Sequence, residues 1–309
     1  MVNRLLIELT DKALGPSKKT SSGNRAYRCP FCNHHKPKLE INFTKNKKGN
    51  NPWHCWVCNE KGLKLSYLFK KAKVHSEYFK ELYTLVKPDS TIEETNLPKT
   101  KATLPKEYIS LIDTNNILAK HARVYLKKRG ITKSDIIKYN IGYCEDGDYA
   151  NRIIIPSYNE NGELNYFTAR AFKKGIWPNY KNPPTTRNII PFENTINWNL
   201  PLILCEGPFD AIAIKRNVIP LLGKTLQPSL MEKIVTSKVK KIYIALDQDA
   251  IKQALKFCEI LLNEGKEVYL VELQGKDPSD MGFRKFTQLI QKTQPLTQSK
   301  LLSKKISLI

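Results

Sequence analysis

Continuous apolar runs separated by helical patterns mark the C-terminal third of the chain. PLILC (201–205), VIPLL (218–222), KIYIAL (241–246) and EVYLVEL (267–273) are apolar for most of their length. Such runs are expected of strands buried on both faces. Between them, the stretches opening at Pro208 and Pro228, and IKQALKFCEILLNEG (251–265), carry apolar residues at helical spacing. Proline is favoured in a first helical turn, and Gly265 suits a helix C-terminus. Strands alternating with helices predict a mainly parallel sheet with helices on its faces.

The rest of the chain reads differently. KLEINF and NPWHCW near the N-terminus read as strands of a small β module. Residues 106–200 mix helical patterns with short strands. Residues 87–105, rich in Pro, Thr and charge, read as a linker. The expected class is α/β with an α+β N-terminal part. Its divisions are a β module in 1–86, the linker 87–105, a mixed subdomain in 106–200, a parallel α/β subdomain in 201–285 and a short tail in 286–309.

Charge changes the picture more than composition does. Lys and Arg number 51 against 29 Asp and Glu, a net charge of +22 over 309 residues. Such a field draws polyanions, so nucleic acid is the expected partner, bound with steep salt dependence. There is no run of about 18 apolar residues and no signal-peptide core, so a cytoplasmic protein with no membrane partner is expected.

Of the seven cysteines, four form two close pairs, Cys29/Cys32 and Cys55/Cys58. Each CxxC turn can aim two thiolates at one ion, and two such turns complete a tetrahedral zinc site. Pro30 and Gly62 suit the turns. Four thiolates leave no open coordination position, so this zinc is structural. Function would come from the face of the ribbon. Lys36, Lys38, Lys45, Lys47 and Lys48 with Trp53, His54 and Trp56 mix positive charge and aromatics, as single-stranded nucleic acid requires. Trp53 and Trp56 serve equally well as the core of a tiny domain. His34, His35 and His54 read as surface residues rather than ligands. Cys144, Cys205 and Cys258 have no ligand spacing, and the last two read as small core residues.

Carboxylates stand after three of the four apolar runs. Glu206 follows the first, Asp247 and Asp249 the third, Asp277 and Asp280 the fourth. Asp210 lies one turn into the first helix. The carboxyl ends of parallel strands are where α/β sheets place their chemistry. Clustered carboxylates repel, and a hard divalent cation, Mg²⁺ or Mn²⁺, is their natural neutraliser. A single acid there would be read as a helix cap, as Asp249 could be. Gly223-Lys224-Thr225 looks like the end of a phosphate-binding loop, but Val218 stands where that pattern needs glycine, which excludes it.

Taken in order, the CxxC pairs, LCEGPFDAIAI, IALDQDA and GKDPSD resemble the bacterial and phage replicative primases of DnaG type, whose core contains a Toprim subdomain. YLKKRGI (125–131), IGYCEDGD (141–148), NRIIIPSYNENGELNYFTARAF (151–172) and KNPPTT (181–186) extend the resemblance upstream. It implies an enzyme that makes short RNA primers from ribonucleoside triphosphates on single-stranded DNA, with a replicative helicase as partner. It implies that Glu206 acts near the reacting hydroxyl, as metal partner or general base. Asp247, Asp249 and Asp277 would hold metals, with Asp280 less firmly placed, because the family's second acid falls at the position of Ser279. Arg152, Arg170 and Lys181 would contact template or nucleotide, and Lys36, Lys38, Trp53 and Trp56 would contact DNA. The four-cysteine ribbon looks more like phage members. The short tail implies that any helicase contact is weaker, different or elsewhere. Two other readings compete: a Toprim nuclease or topoisomerase-like enzyme, and a non-catalytic zinc-ribbon protein that binds single-stranded DNA.

Overall fold

The computed structural model describes residues 4–44, 51–85, 102–112, 114, 116–273 and 277–308. Lys45, Lys47, Lys48 and most of the expected linker lie outside the described residues.

Three sheets organise the described chain. The first is an antiparallel meander of β1 (Lys18–Lys19), β2 (Arg25–Tyr27), β3 (Leu39–Ile41), β4 (Trp53–Cys55) and β5 (Lys61–Gly62). Alternation sends Leu39, Ile41, Trp53 and Cys55 inward. They share a core with residues of α1 (Arg4–Leu14), α2 (Leu65–Lys71) and α3 (Ser76–Leu85).

The second sheet is antiparallel, in the order β6 (Tyr108–Ser110), β7 (Gly142–Cys144), β8 (Arg152–Tyr158) and β9 (Leu164–Ala171). Asn159 closes the β8–β9 hairpin by accepting from the backbone N–H groups of Asn161 and Glu163. Helices α4 (Ile117–Lys128) and α5 (Lys133–Lys138) accompany this sheet. Helix α5 opens with a capping box between Thr132 and Asp135.

The third sheet is parallel throughout, in the order β11-β10-β12-β13. Its strands are β10 (Leu202–Cys205), β11 (Val218–Pro220), β12 (Lys241–Ala245) and β13 (Glu267–Leu270). Helices α6 (Pro208–Ile214), α7 (Pro228–Thr236) and α8 (Ile251–Asn263) follow the first three strands, as the apolar pattern predicts. Beyond β13 come α9 (Pro278–Lys292), interrupted at Gly282 with φ of 76°, and α10 (Gln298–Ile306). Helices α2 and α3 rest beside α7, which brings the N-terminal module against the parallel subdomain.

The parallel sheet is covered on both faces, which is why its strands read as unbroken apolar runs. Leu202, Leu204, Ile242 and Ile244 enter one core with residues of α7 and α8. Ile203, Cys205 and Ala245 enter another, shared with Leu126, Tyr143 and Ile153 of the middle subdomain. The middle and parallel subdomains are therefore built on one continuous core, which fixes the antiparallel sheet relative to the ends of the parallel strands.

Candidate functional site

The four paired cysteines converge. Cys29 and Cys58 sulfurs are 3.7 Å apart, Cys32 and Cys55 sulfurs 3.9 Å, and all four lie within 4.8 Å of one another. A tetrahedron of thiolates about 2.3 Å from a zinc ion has edges of roughly 3.8 Å, so this set suits such an ion. The two turns are equivalent. Asn33 and Asn59, each directly after a second cysteine, have φ of 48° and 61°. Their N–H groups return to the carbonyls of Cys29 and Cys55, each at 3.0 Å. Asparagine tolerates this left-handed geometry better than most residues. The repeated Cys-Asn step was the sequence signal for these turn residues. Gly62, expected at a turn, acts otherwise. It pairs with Trp53 across β4 and β5, and a Cβ there would sit 2.6 Å from the indole.

On the face of the module the two tryptophans part. Trp53 is 2% exposed and donates from Nε1 to the Lys64 carbonyl at 3.0 Å. It belongs to the core and offers no stacking face, contrary to its expected place at DNA. The reason is parity: Trp53 shares the inward side of β4 with Cys55. Trp56 lies past the strand end, 63% exposed, with His54 edge-on at 4.4 Å. Lys36 is exposed and Lys38 half-buried. Cys144, Cys205 and Cys258 are fully buried and free.

The second cluster forms at the carboxyl ends of β10 and β12. Carboxylate oxygens of Glu206, Asp247 and Asp249 lie within 4.8 Å of one another. Glu206 accepts from the Asp247 N–H at 3.1 Å, which ties the two strand ends together. Asp210, one helical turn after Glu206, accepts from the Ser279 N–H at 3.3 Å. Burial raises the Asp210 carboxyl to about 6, with the charges of Asp247 and Asp277 adding to it. Burial likewise raises Asp247, with Asp277 and Asp249 adding, and raises Glu206, with Asp247 adding. Lys224 offsets part of this crowding through an ion pair of 2.5 Å with Asp249. Crowded carboxylates held by rigid strand ends are a donor set suited to a divalent cation. Asp277 stands at the N-cap of α9 within the influence of Asp210 and Asp247. Asp280 is exposed and lies in the first turn of α9. The spacing of one helical turn between Glu206 and Asp210 is the sequence signal for the place of Asp210 beside the cluster.

A chain of basic and aromatic side chains runs from the second sheet to Phe209, the neighbour of Asp210. Arg170 stacks on Tyr180, with 4.6 Å from guanidinium to ring centroid, and its Nε donates to the Tyr125 hydroxyl at 3.3 Å. Arg129 lies 5.8 Å from the Tyr125 ring and 5.7 Å from that of Phe209, the neighbour of Asp210. In the sequence, Arg129 carries no sign of this placement beyond its position in YLKKRGI. Lys181 donates to the Asp148 carboxylate at 3.0 Å and the Asp148 carbonyl at 2.9 Å. Arg152 is placed unlike the others. It is 5% exposed, and its guanidinium donates to the carbonyls of Pro178 at 2.8 Å and Ala150 at 3.2 Å.

Residues 201–273, the segment carrying the acidic edge, match the Toprim domain family. A zinc ribbon joined to a Toprim core is the DnaG architecture, and the fold of this chain is that of the DnaG-type primases. The Aquifex aeolicus primase, comprising zinc-binding and RNA polymerase domains, superposes with a TM-score of 0.50 at 20% identity, covering 95% of this chain and 84% of that one. The DnaG catalytic domain bound to single-stranded DNA gives a TM-score of 0.53 at 19% identity, over 62% of this chain and 77% of that one. Among sequence relatives, the uncharacterized protein MG010 homolog of Mycoplasma pneumoniae is 32% identical over 49% of this chain and 76% of its own length. The DNA primase of Thermotoga maritima is 24% identical over 57% of this chain, which spans 39% of that longer enzyme.

Proposed function

We propose that this chain synthesises short RNA primers on single-stranded DNA by metal-dependent nucleotidyl transfer. The carrying observation is the cluster of Glu206, Asp247 and Asp249 at adjoining parallel strand ends, with Arg129 and Arg170 in the chain of contacts that reaches the neighbour of Asp210. In this reading Asp247, Asp249 and Asp277 hold Mg²⁺ or Mn²⁺, with Asp210 beside them and Asp280 outermost. A bound divalent cation supplies charge neutralisation at the reacting phosphate and at the departing pyrophosphate. The 3′-hydroxyl oxygen of the growing primer attacks the α-phosphorus of the incoming ribonucleotide. The bond from that phosphorus to the pyrophosphate oxygen breaks, and Glu206 would receive the hydroxyl proton. Arg170 and Lys181 offer positive charge to triphosphate or template, a stabilisation that grows as charge develops. Arg152 supports them from beneath by holding a loop carbonyl. The zinc ribbon, with zinc on Cys29, Cys32, Cys55 and Cys58, reads the template through Lys36, Lys38 and Trp56. A replicative helicase in the bacterial or phage-infected cytoplasm is the expected partner. Among the described residues, no helix is long and apolar enough to cross a membrane.

The test is ribonucleotide incorporation on random single-stranded templates, with the products sequenced. Asp247→Ala and Glu206→Ala are expected to abolish products while leaving DNA binding nearly intact, because the basic contacts remain. Full synthesis by either variant would refute the site. Shortened DNA in place of new RNA would favour the nuclease reading. Binding without any product would favour the non-catalytic one.

A further inference from the structure

Trp177 is the most exposed large apolar side chain among the described residues, at 84%. It sits on the segment that leaves β9, where residues 173–175 and 177–180 are all exposed. An indole left in water needs a reason, because burying one is worth more than burying most side chains.

The segment is braced from below rather than loose. The buried Arg152 guanidinium holds the carbonyl of Pro178, the residue after Trp177, at 2.8 Å. The Ala171 N–H holds the carbonyl of Asn179 at 2.9 Å. Arg152 Nε, also buried, has no hydrogen-bond partner. Burying a cation with a spare donor is costly. Here the return is a fixed position for an exposed loop. The next aromatic, Tyr180, bridges to Arg170 and lies under its guanidinium. From Arg170 the contacts run through Tyr125 and Arg129 to Phe209, the neighbour of Asp210 in the acidic cluster. Residues 170–182 contain Arg170, Lys173, Lys174 and Lys181 and no carboxylate.

A held aromatic face among cations, linked by contacts to the residue beside Asp210, matches how single-stranded nucleic acid is gripped: bases on rings, phosphates on cations. We propose that Trp177 is a base-stacking post for the single-stranded DNA template, with the Tyr180–Arg170 pair as the next step toward the acidic edge. The choice of template rests on the primase reading; the stacking surface does not.

The test uses the full chain and equilibrium binding of oligo-dT, followed by anisotropy of a dye on the DNA across a salt series. Trp177→Ala is expected to weaken binding about tenfold or more, and Trp177→Phe by roughly threefold at most, because base–ring stacking is what changes. The slope of log affinity against log salt is expected to stay as in the wild type, because no phosphate contact is lost. Lys173→Gln is expected to reduce that slope. Wild-type affinity in Trp177→Ala overturns the proposal, as does an equal loss for blunt duplex, whose bases cannot reach the ring. A larger loss for oligo-U than for oligo-dT overturns the assignment to the template strand. If the wild type makes no primers while Trp177→Ala still loses DNA affinity, the post stands and the primase reading falls.

Discussion

The Ser66 hydroxyl donates to the Glu264 carboxylate across 198 positions of sequence, joining the zinc module to the end of the helix that follows β12. Glu264 is 3% exposed and also meets Lys64 at 3.3 Å. Lys70 donates to the Ser237 carbonyl at 2.9 Å, beyond the end of α7. The Tyr67 ring lies against Gly265, where a Cβ would approach it to 2.3 Å. Removing one partner of a buried charged pair costs roughly 3 kcal/mol, because the other is left desolvated. Glu264→Ala and Gly265→Ala are each expected to free the module from its seat. Small-angle scattering would show a larger radius of gyration, with the zinc content unchanged. A radius equal to the wild type would mean that the seat does not depend on these residues.

The thiolate cluster predicts about one zinc per chain, measured by elemental analysis of the purified protein. Cys55→Ser is expected to lose that ion and to melt the N-terminal sheet, since ion binding and folding are coupled in so small a core. Trp53, packed between Phe31 and Tyr67, is the internal reporter, and its emission should shift to the red. The middle and parallel subdomains have cores separate from that of the zinc module and should keep their far-ultraviolet signal.

Lys224 competes with any cation for Asp249, given their 2.5 Å contact. Lys224→Met is expected to tighten Mn²⁺ binding several-fold at low salt, read by electron paramagnetic resonance titration. The gain should shrink as added salt screens this exposed charge. Unchanged affinity would place the ion away from Asp249.

Asp135 tests a contact remote from the chemistry. Burial alone would raise its carboxyl, but the Lys215 ammonium at 2.8 Å and the Thr132 hydroxyl and N–H outweigh burial and hold it below the ordinary 3.8. A lowered folded value means that the unfolded chain binds the proton more readily. The stabilisation is therefore complete above the ordinary carboxylate range and disappears as pH falls through the folded value. Asp135→Asn is expected to cost roughly 1–3 kcal/mol near neutrality, with the gap from wild type closing below about pH 4. Thermal melts across that range would check it, and a gap independent of pH would assign the loss to packing.

Some of this was legible in the sequence and some could not be. The parallel strands were, because burial on both faces leaves no polar residue to interrupt the run. The metal-binding turns were, because CxxC spacing is itself the geometry. Trp53 and Trp56 were separable in principle, since Trp53 has the strand parity of Cys55 and Trp56 does not. Arg152 was not: an arginine opening a strand gives no sign that a loop carbonyl 26 residues on will claim its guanidinium. Nor was the pairing of Ser66 with Glu264, because nothing in either segment names the other.

The core shared by the antiparallel sheet and the parallel sheet also limits how the gene can be cut. Ile153 and Ile203 lie on opposite sides of the change from basic to acidic chemistry near residue 200, yet they are packed in one interior. A fragment ending there would leave half of that interior facing water and should precipitate when expressed alone. By the same argument the smallest portable piece should run from β6 to α10, because Leu296 and Leu301 complete the core beside α8, with the zinc module as the separable attachment.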